Sequence, residues 1–201
     1  MTHEFEWVGD FQLTQPIIRV SDPGYVKDCE YSYTIEHCLP GKWEAAVVRR
    51  DTSMHQVAML AVRCIEFGCG TQFNTAYDNL FTSDCVEEAD FDVDVDSGLC
   101  GVFDDNFYAD DNVCGEVSEE AKYDHTYGAP WYSMCCETCS ASERAGTIPY
   151  GAVSNSGAGD GCYPVYYTRN RDGYIHSIAI LFVEKDEWNG EGRYANYGFE
   201  T

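Results

Sequence analysis

Polar and apolar positions alternate with the period of strands through much of this chain. Phe91, Val93 and Val95 alternate with Asp92, Asp94 and Asp96, the pattern of a half-buried strand that keeps its carboxylates in solvent. Tyr163 to Arg169 is aromatic and β-branched, Ile175 to Val183 is a second apolar run, and Asn170-Arg171-Asp172-Gly173 between them carries an Asp-Gly step that tolerates positive φ. These pieces predict a hairpin. Trp43 to Arg49 and Val57 to Ile65, opened by Pro40-Gly41 and joined through Asp51-Thr52-Ser53, predict another. Ile17 to Val20 reads as a short strand stopped by Ser21-Asp22-Pro23-Gly24. Phe5, Trp7, Phe11 and Leu13 supply an edge strand or arm before it.

The intervening stretches are less regular. Residues 66–90 form a connector with a short helix at Tyr77 to Phe81, and Leu99 to Phe103 continues the strand that ends at Val95. Ser118-Glu119-Glu120 and Pro130-Trp131-Tyr132 are helix starts, the second opening a helix to about Cys139 that the sheet covers. The segment holding Gly151, Ser154, Asn155, Ser156, Gly157, Gly159, Asp160 and Gly161 is too polar and flexible for a regular element. The tail from Trp188 to Thr201 is a peripheral strand or ordered arm.

The two hairpins also align with each other. Gly41 to Arg49 lines up with Gly161 to Arg169, and with one extra residue in the second turn Val57 to Val62 lines up with Ile178 to Val183. Val20-Ser21-Asp22-Pro23-Gly24 echoes Val95-Asp96-Ser97-Gly98. The chain reads as two diverged copies of one unit, about 14–66 and 91–184, within a single compact domain spanning 1–201. The fold class is therefore mainly β: two related antiparallel units packed as a sandwich, with one or two short helices inserted.

Composition narrows the functional classes. Thirty-five acidic residues against 12 basic ones give a net charge of −23. Such a surface repels phosphate backbones and anionic membranes, so direct nucleic-acid binding and membrane association are disfavoured. Solubility, cation binding and imitation of nucleic-acid charge are all compatible with it. No apolar run approaches a membrane span, and MTHEFEWVGD is not a secretory leader, so the expected location is cytoplasmic. Eleven cysteines, an odd number, fit reduced thiols better than a disulfide framework.

Candidate chemistry follows from the polar clusters. Asp92-Val93-Asp94-Val95-Asp96-Ser97-Gly98 begins like a calcium loop, but Ser97 stands where that loop needs Gly and Phe103 where it needs an acid. A zinc site would draw on Cys114, Cys135, Cys136 and Cys139 with His125, yet one Cys-x-x-Cys without a second pair is better explained by packed thiols. No cofactor is favoured, with zinc and calcium the alternatives. Ser154, Ser156, Cys136 or Cys162 beside His125 or His176 lacks any nucleophile motif. The loop Ser154 to Gly161 lacks the Lys and helix of a phosphate-binding loop and reads as a tight crossover.

Val95-Asp96-Ser97-Gly98, Gly101-Val102-Phe103-Asp104, Trp131-Tyr132 near a Cys, and Gly151-Ala152-Val153-Ser154-Asn155-Ser156-Gly157-Ala158-Gly159-Asp160-Gly161-Cys162-Tyr163 together resemble the uncharacterised domain-of-unknown-function family 4241. The resemblance covers about Val95 to Val183. It departs at Asn155, where Ser is usual, and at Ala158, where an aromatic is usual. It implies a bacterial or phage origin and carries no established activity. The functional expectation is a non-catalytic binding or interaction protein, such as a phage accessory or counter-defence factor, with Asp96, Ser97, Asp104, Ser154, Ser156, Asp160 and Tyr163 facing a polar ligand or a protein partner. The alternatives are a metal-dependent hydrolase using Asp96, Asp104 and Asp160, or a virion component or acidic nucleic-acid mimic. A homo-oligomer is compatible with each.

Overall fold

The strand patterns close into two antiparallel sheets. A computed structural model describes residues 5–50, 56–65, 86–114, 130–140 and 144–183. In chain order these form β1 (Glu6–Leu13), β2 (Ile17–Ser21), β3 (Tyr33–Glu36), β4 (Gly41–Arg49), β5 (Val57–Cys64), β6 (Val86–Val95), β7 (Leu99–Asp104), a 3-10 turn (Asp111–Val113), α1 (Pro130–Ser140), β8 (Ala145–Ile148), β9 (Gly151–Asn155), β10 (Gly161–Arg169) and β11 (Ile175–Leu181). The larger sheet runs β1-β4-β5-β11-β10-β6 and the smaller β3-β2-β7-β9-β8. The protein is a mainly β sandwich, and each half of the chain contributes to both sheets.

The pairings of the two halves mirror each other. In the larger sheet β5 meets β11 with Val62 opposite Ile178, Ala61 opposite Ala179 and Leu60 opposite Ile180. In the smaller sheet β2 meets β7 with Val20 opposite Val102. A two-fold relation through the Ala61·Ala179 and Val20·Val102 pairs exchanges β1 with β6, β2 with β7, β3 with β9, β4 with β10 and β5 with β11. Both hairpins carry a register shift at the same place, with Arg49 opposite Val57 and Arg169 opposite Ile175. That register makes Leu60, not Val57, the counterpart of Ile178, three residues from the alignment the sequence suggests. Composition aligned the apolar runs; hydrogen bonding aligns the bulges.

Four further segments differ from expectation. Leu99 to Asp104 does not continue β6, because Gly98 at φ 72 turns the chain from the larger sheet into the smaller one. Gly151 to Asn155 is not irregular but an interior strand between β7 and β8. Its glycine answers a steric demand: a Cβ at Gly151 would lie 2.5 Å from Phe103 Cδ1, and one at Gly101 would lie 2.2 Å from Phe103 Cζ. The Phe103 ring thus covers both glycines. β3 and β8 carry four residues each and too little pattern to be foreseen. The helix expectations at Tyr77 to Phe81 and Ser118 to Glu120, and the arm from Trp188 to Thr201, lie outside the described residues.

The main core fills the space between the sheets, with Trp43, Leu13, Ile18, Val20, Met59, Leu60, Ile178 and Ile180 fully buried. A second cluster lies on the other side of the smaller sheet, where α1 sets Trp131, Tyr132, Cys135 and Cys139 against Leu99, Phe103, Tyr108, Ile148 and Val153. Pro130 suits the first helical position, where no backbone N–H is required, and the next N–H, that of Trp131, donates to Asp111 Oδ1 at 3.0 Å.

Two buried carboxylates join the halves. Asp22, just past β2, accepts from the backbone N–H of Asp96 (2.9 Å) and Ser97 (2.7 Å), from Ser97 Oγ (2.6 Å) and from Gly24 N–H (2.7 Å). Asp104, ending β7, accepts from Thr14 N–H (2.5 Å), Thr14 Oγ1 (2.6 Å) and Asn106 N–H (2.9 Å). The two positions exchange under the two-fold, so each half clasps the first turn of the other. Both residues are 0% exposed, so removing either carboxylate strands turn donors away from water. Asp22→Ala and Asp104→Ala are each expected to lower unfolding free energy by about 3 kcal/mol in urea titrations. A loss near zero for either would show that the clasp does not hold the turn.

Candidate functional site

The residues nominated from sequence are brought together in part on folding, with Asp104 standing apart. The β6–β7 turn and the β9–β10 loop do meet, since Ser156 N–H donates to the Gly98 carbonyl at 3.0 Å. Gly161 lies opposite Val95, and continuing that register sets Asp160 opposite Asp96, both exposed. Asp104 stands at the far end of β7, roughly 17 Å along the strand from that turn, and is wholly occupied by Thr14 and Asn106. The structure therefore does not bring Asp96, Asp104 and Asp160 together. Among the described residues no group of three or more His, Cys, Asp or Glu side chains could hold a metal ion.

The hydroxyls of the set serve the fold. Ser97 Oγ donates to Asp22, Ser156 Oγ to the Gly159 carbonyl at 2.6 Å, and Tyr163 OH to the same carbonyl at 2.7 Å. The Tyr163 bond has a counterpart in the first half, where Trp43 Nε1 donates to the Leu39 carbonyl at 2.8 Å. In each half an aromatic two residues into the strand ties down the loop before it. Ser154 faces inward, fully buried opposite Cys100 and Ala145, and its Oγ has no hydrogen-bond partner among the described residues.

What remains accessible is a face on which the sequence nominated Asp96 and left Asp92 and Asp94 to solvent. Asp92 and Asp96 are exposed and Asp94 half-buried on the outward side of β6, about 7 Å apart in succession, and β6 is the last strand of its sheet. Tyr33 OH donates to Asp94 Oδ2 at 3.0 Å, Cys162 Sγ to Asp94 Oδ1 at 2.8 Å and Tyr25 OH to Asp96 Oδ2 at 2.9 Å. Tyr33 also stacks on Phe91, with ring centroids 4.5 Å apart. Beside it the β2–β3 loop presents Val26 and Tyr31, 71% and 46% exposed, with the Tyr31 ring 6.1 Å from that of Tyr25. Arg19 anchors this loop: its guanidinium reaches Asp105 at 2.6 Å, the Lys27 carbonyl at 3.0 Å and Ser32 Oγ at 2.8 Å.

The electrostatics of the face follow from its carboxylates. Burial, then the bonds and charges of Asp96 and its neighbours, raises the Tyr25 hydroxyl above its ordinary range, and burial with Asp94 raises Tyr33. The Cys162 thiol is pushed up first by its bond to Asp94, then by slight burial and the charges of Asp92 and Asp96. These groups stay protonated and donate. Tyr25, Tyr31 and Tyr33 were not legible as site residues, because a tyrosine in a loop carries no spacing signal.

The other chemical candidates sit elsewhere. Cys135 and Cys139 point into the second core, where burial raises Cys135 well above the thiol range and pushes Cys139 up to about 12. Cys114 is pushed up to about 11, and with Cys136 these remain free cysteines. His176 Nε2 lies 3.3 Å from Thr168 Oγ1, and burial lowers its pKa. His125, Cys69 and Cys85 lie outside the described residues. No described helix is long and apolar enough to cross a membrane.

Among the described residues the architecture defines a two-sheet β sandwich with one packed α-helix and an acidic, tyrosine-flanked edge. The chain belongs to the family described as protein of unknown function (DUF4241), which matches residues 11–180. Neither the curated proteins nor the solved structures include a match to it.

The Cys162–Asp94 bond has a chemical consequence. Removing the carboxylate lowers the thiol pKa toward its ordinary value and increases the thiolate fraction at pH 8. Asp94→Asn is therefore expected to speed iodoacetamide alkylation of Cys162 about threefold at that pH, read by peptide mass mapping. An unchanged or slower rate would show that Asp94 does not govern the thiol.

Proposed function

We propose that this protein is a non-catalytic binding protein that engages a partner through the outward face of β6 and the adjoining Tyr25–Tyr33 segment. One observation carries the reading. The groups that sequence nominates for chemistry are consumed by the fold: Asp104 closes a turn, Ser97 holds Asp22, and Ser156 and Tyr163 close one loop. The groups left in reach of a partner are Asp92, Asp96 and Asp160, with exposed Tyr31 and Val26 beside them. Carboxylates, an aromatic ring and an apolar side chain on one surface suit recognition of a macromolecule. A cytosolic setting, and a role as a phage accessory or counter-defence factor, belong to the same proposal.

A hydrolase would need its carboxylates convergent, and Asp104 lies across the molecule from the other two. The binding reading is tested by crosslinking in cell extract, comparing the wild type with an Asp92→Asn, Asp94→Asn, Asp96→Asn variant. The wild type is expected to yield a discrete adduct of fixed mass that the variant lacks, with Asp104→Asn leaving it intact in the folded fraction. Turnover of ester, phosphoester or glycoside substrates with added Mg²⁺, Mn²⁺ or Zn²⁺, abolished by Asp160→Asn, would overturn the reading in favour of an enzyme.

A further inference from the structure

The two-fold relation supplies an internal control for the acidic face. In the first half, the outward positions at the end of β1 are Asp10, Gln12 and Thr14, with Lys42 facing them from β4. Lys42 Nζ lies 2.5 Å from Asp10 Oδ2. The corresponding positions in the second half are Asp92, Asp94 and Asp96, with Cys162 in the place of Lys42. A neighbouring ion pair is common to both halves, Arg49 with Glu6 at 2.7 Å and Arg169 with Glu87 at 3.1 Å. The same backbone therefore holds a charge-balanced strand end in one half and three carboxylates without a described cation in the other. The sheet does not require these acids.

Tyr25, Tyr31 and Val26 border only the unbalanced edge. The nearest cation of that loop, Lys27, is drawn away to Asp105 at 3.2 Å. Asp94 and Asp96 are held by neutral donors, two tyrosine hydroxyls and a thiol, which position them and leave their charge in place.

We propose that this face docks an arginine-bearing segment of a partner protein. The guanidinium groups would lie between Asp92, Asp94 and Asp96, and their planes or stems against Tyr25 and Tyr31. Arginine fits better than lysine, because its planar fork pairs with carboxylates and stacks on aromatic rings in the same contact. The proposal rests on the binding reading above and specifies the chemistry of the partner.

The test uses the full chain and a blocked dodecapeptide alternating arginine with serine, titrated by fluorescence anisotropy. Wild-type affinity is expected to fall about tenfold on Asp92→Asn, Asp94→Asn, Asp96→Asn, and severalfold on Tyr31→Ala, whose side chain is 46% exposed. Replacing arginine by citrulline, or raising NaCl to about 0.5 M, is expected to weaken binding similarly. The control variant Glu36→Gln, Glu137→Gln, Asp172→Asn removes as many exposed charges elsewhere and is expected to bind like the wild type.

Equal loss in the control variant would reduce the effect to diffuse attraction by an acidic chain and overturn the proposal. So would no wild-type binding, a divalent cation that displaces the peptide from this face, or a dimer in sedimentation equilibrium that the face variant dissociates. If the peptide fails while the crosslinked partner still depends on Asp92, Asp94 and Asp96, the arginine chemistry falls and the binding reading stands. If neither depends on them, both fall.

Discussion

A carboxylate withdrawn from water must find donors, and in this fold it finds them across the two-fold. Asp22 and Asp104 are buried only because each reaches the backbone N–H groups of a turn in the opposite half. Neither half satisfies its own carboxylate fully. The same clasps fix the β1–β2 and β6–β7 turns, and from those turns the chain crosses between the sheets. Strand pairing at Ala61·Ala179 and Val20·Val102 then aligns the halves in register, and the clasps hold that register at both ends.

On this shared frame the halves differ in two places. In the second half the connection from β7 to β9 is lengthened by the 3-10 turn, α1 and β8, and a second core forms beneath the helix. Phe103 is central to that core, contacting Tyr108 and Trp131 at 5.4 and 5.3 Å between ring centroids, and its ring leaves room only for glycine at 101 and 151. The glycines of the family motif thus answer partly to packing on the helix side. The corresponding connection in the first half is the β2–β3 loop, which carries Tyr25, Val26 and Tyr31 outward. One insertion builds structure, the other presents surface.

Much of the sandwich was legible because strand periodicity and turn chemistry are local. Phe91 to Val95, Tyr163 to Arg169 and the Asn170–Gly173 turn, where Asn170 Oδ1 accepts from Asp172 and Tyr174 N–H, each declare themselves within a few residues. Gly151 to Asn155 misled because its small and polar residues are dictated by neighbours distant in sequence: the Phe103 ring, and the β7 and β8 strands on either side. Of the seven nominated site residues, Asp104, Ser97, Ser156 and Tyr163 bond within the fold while Asp96 and Asp160 stay exposed, a division the motif does not carry. Motif position says that Asp104 and Ser97 matter, but not whether they serve a ligand or the fold, and only the partners of Asp22 and Thr14 decide between these. The carboxylates at Asp92 and Asp94 were legible as solvent-facing. Their meaning depends on comparison with Asp10 and Gln12, which requires the observed register.

The unbalanced charge also has a physical cost that bears on its interpretation. Like charges about 7 Å apart on one strand repel, and a chain of net charge −23 adds a background of the same sign. β6 nonetheless holds Asp94 and Asp96 with hydroxyl and thiol donors, which orient the carboxylates without neutralising them. A lysine at position 162, as at position 42, would relieve the repulsion within the same backbone. Protection of the sheet edge against aggregation calls for charge, yet the β1 edge is charged while keeping Lys42 paired with Asp10. Edge protection therefore explains the presence of acids on β6 but not the lack of a paired cation among the described residues, and that charge is what a positively charged partner would supply.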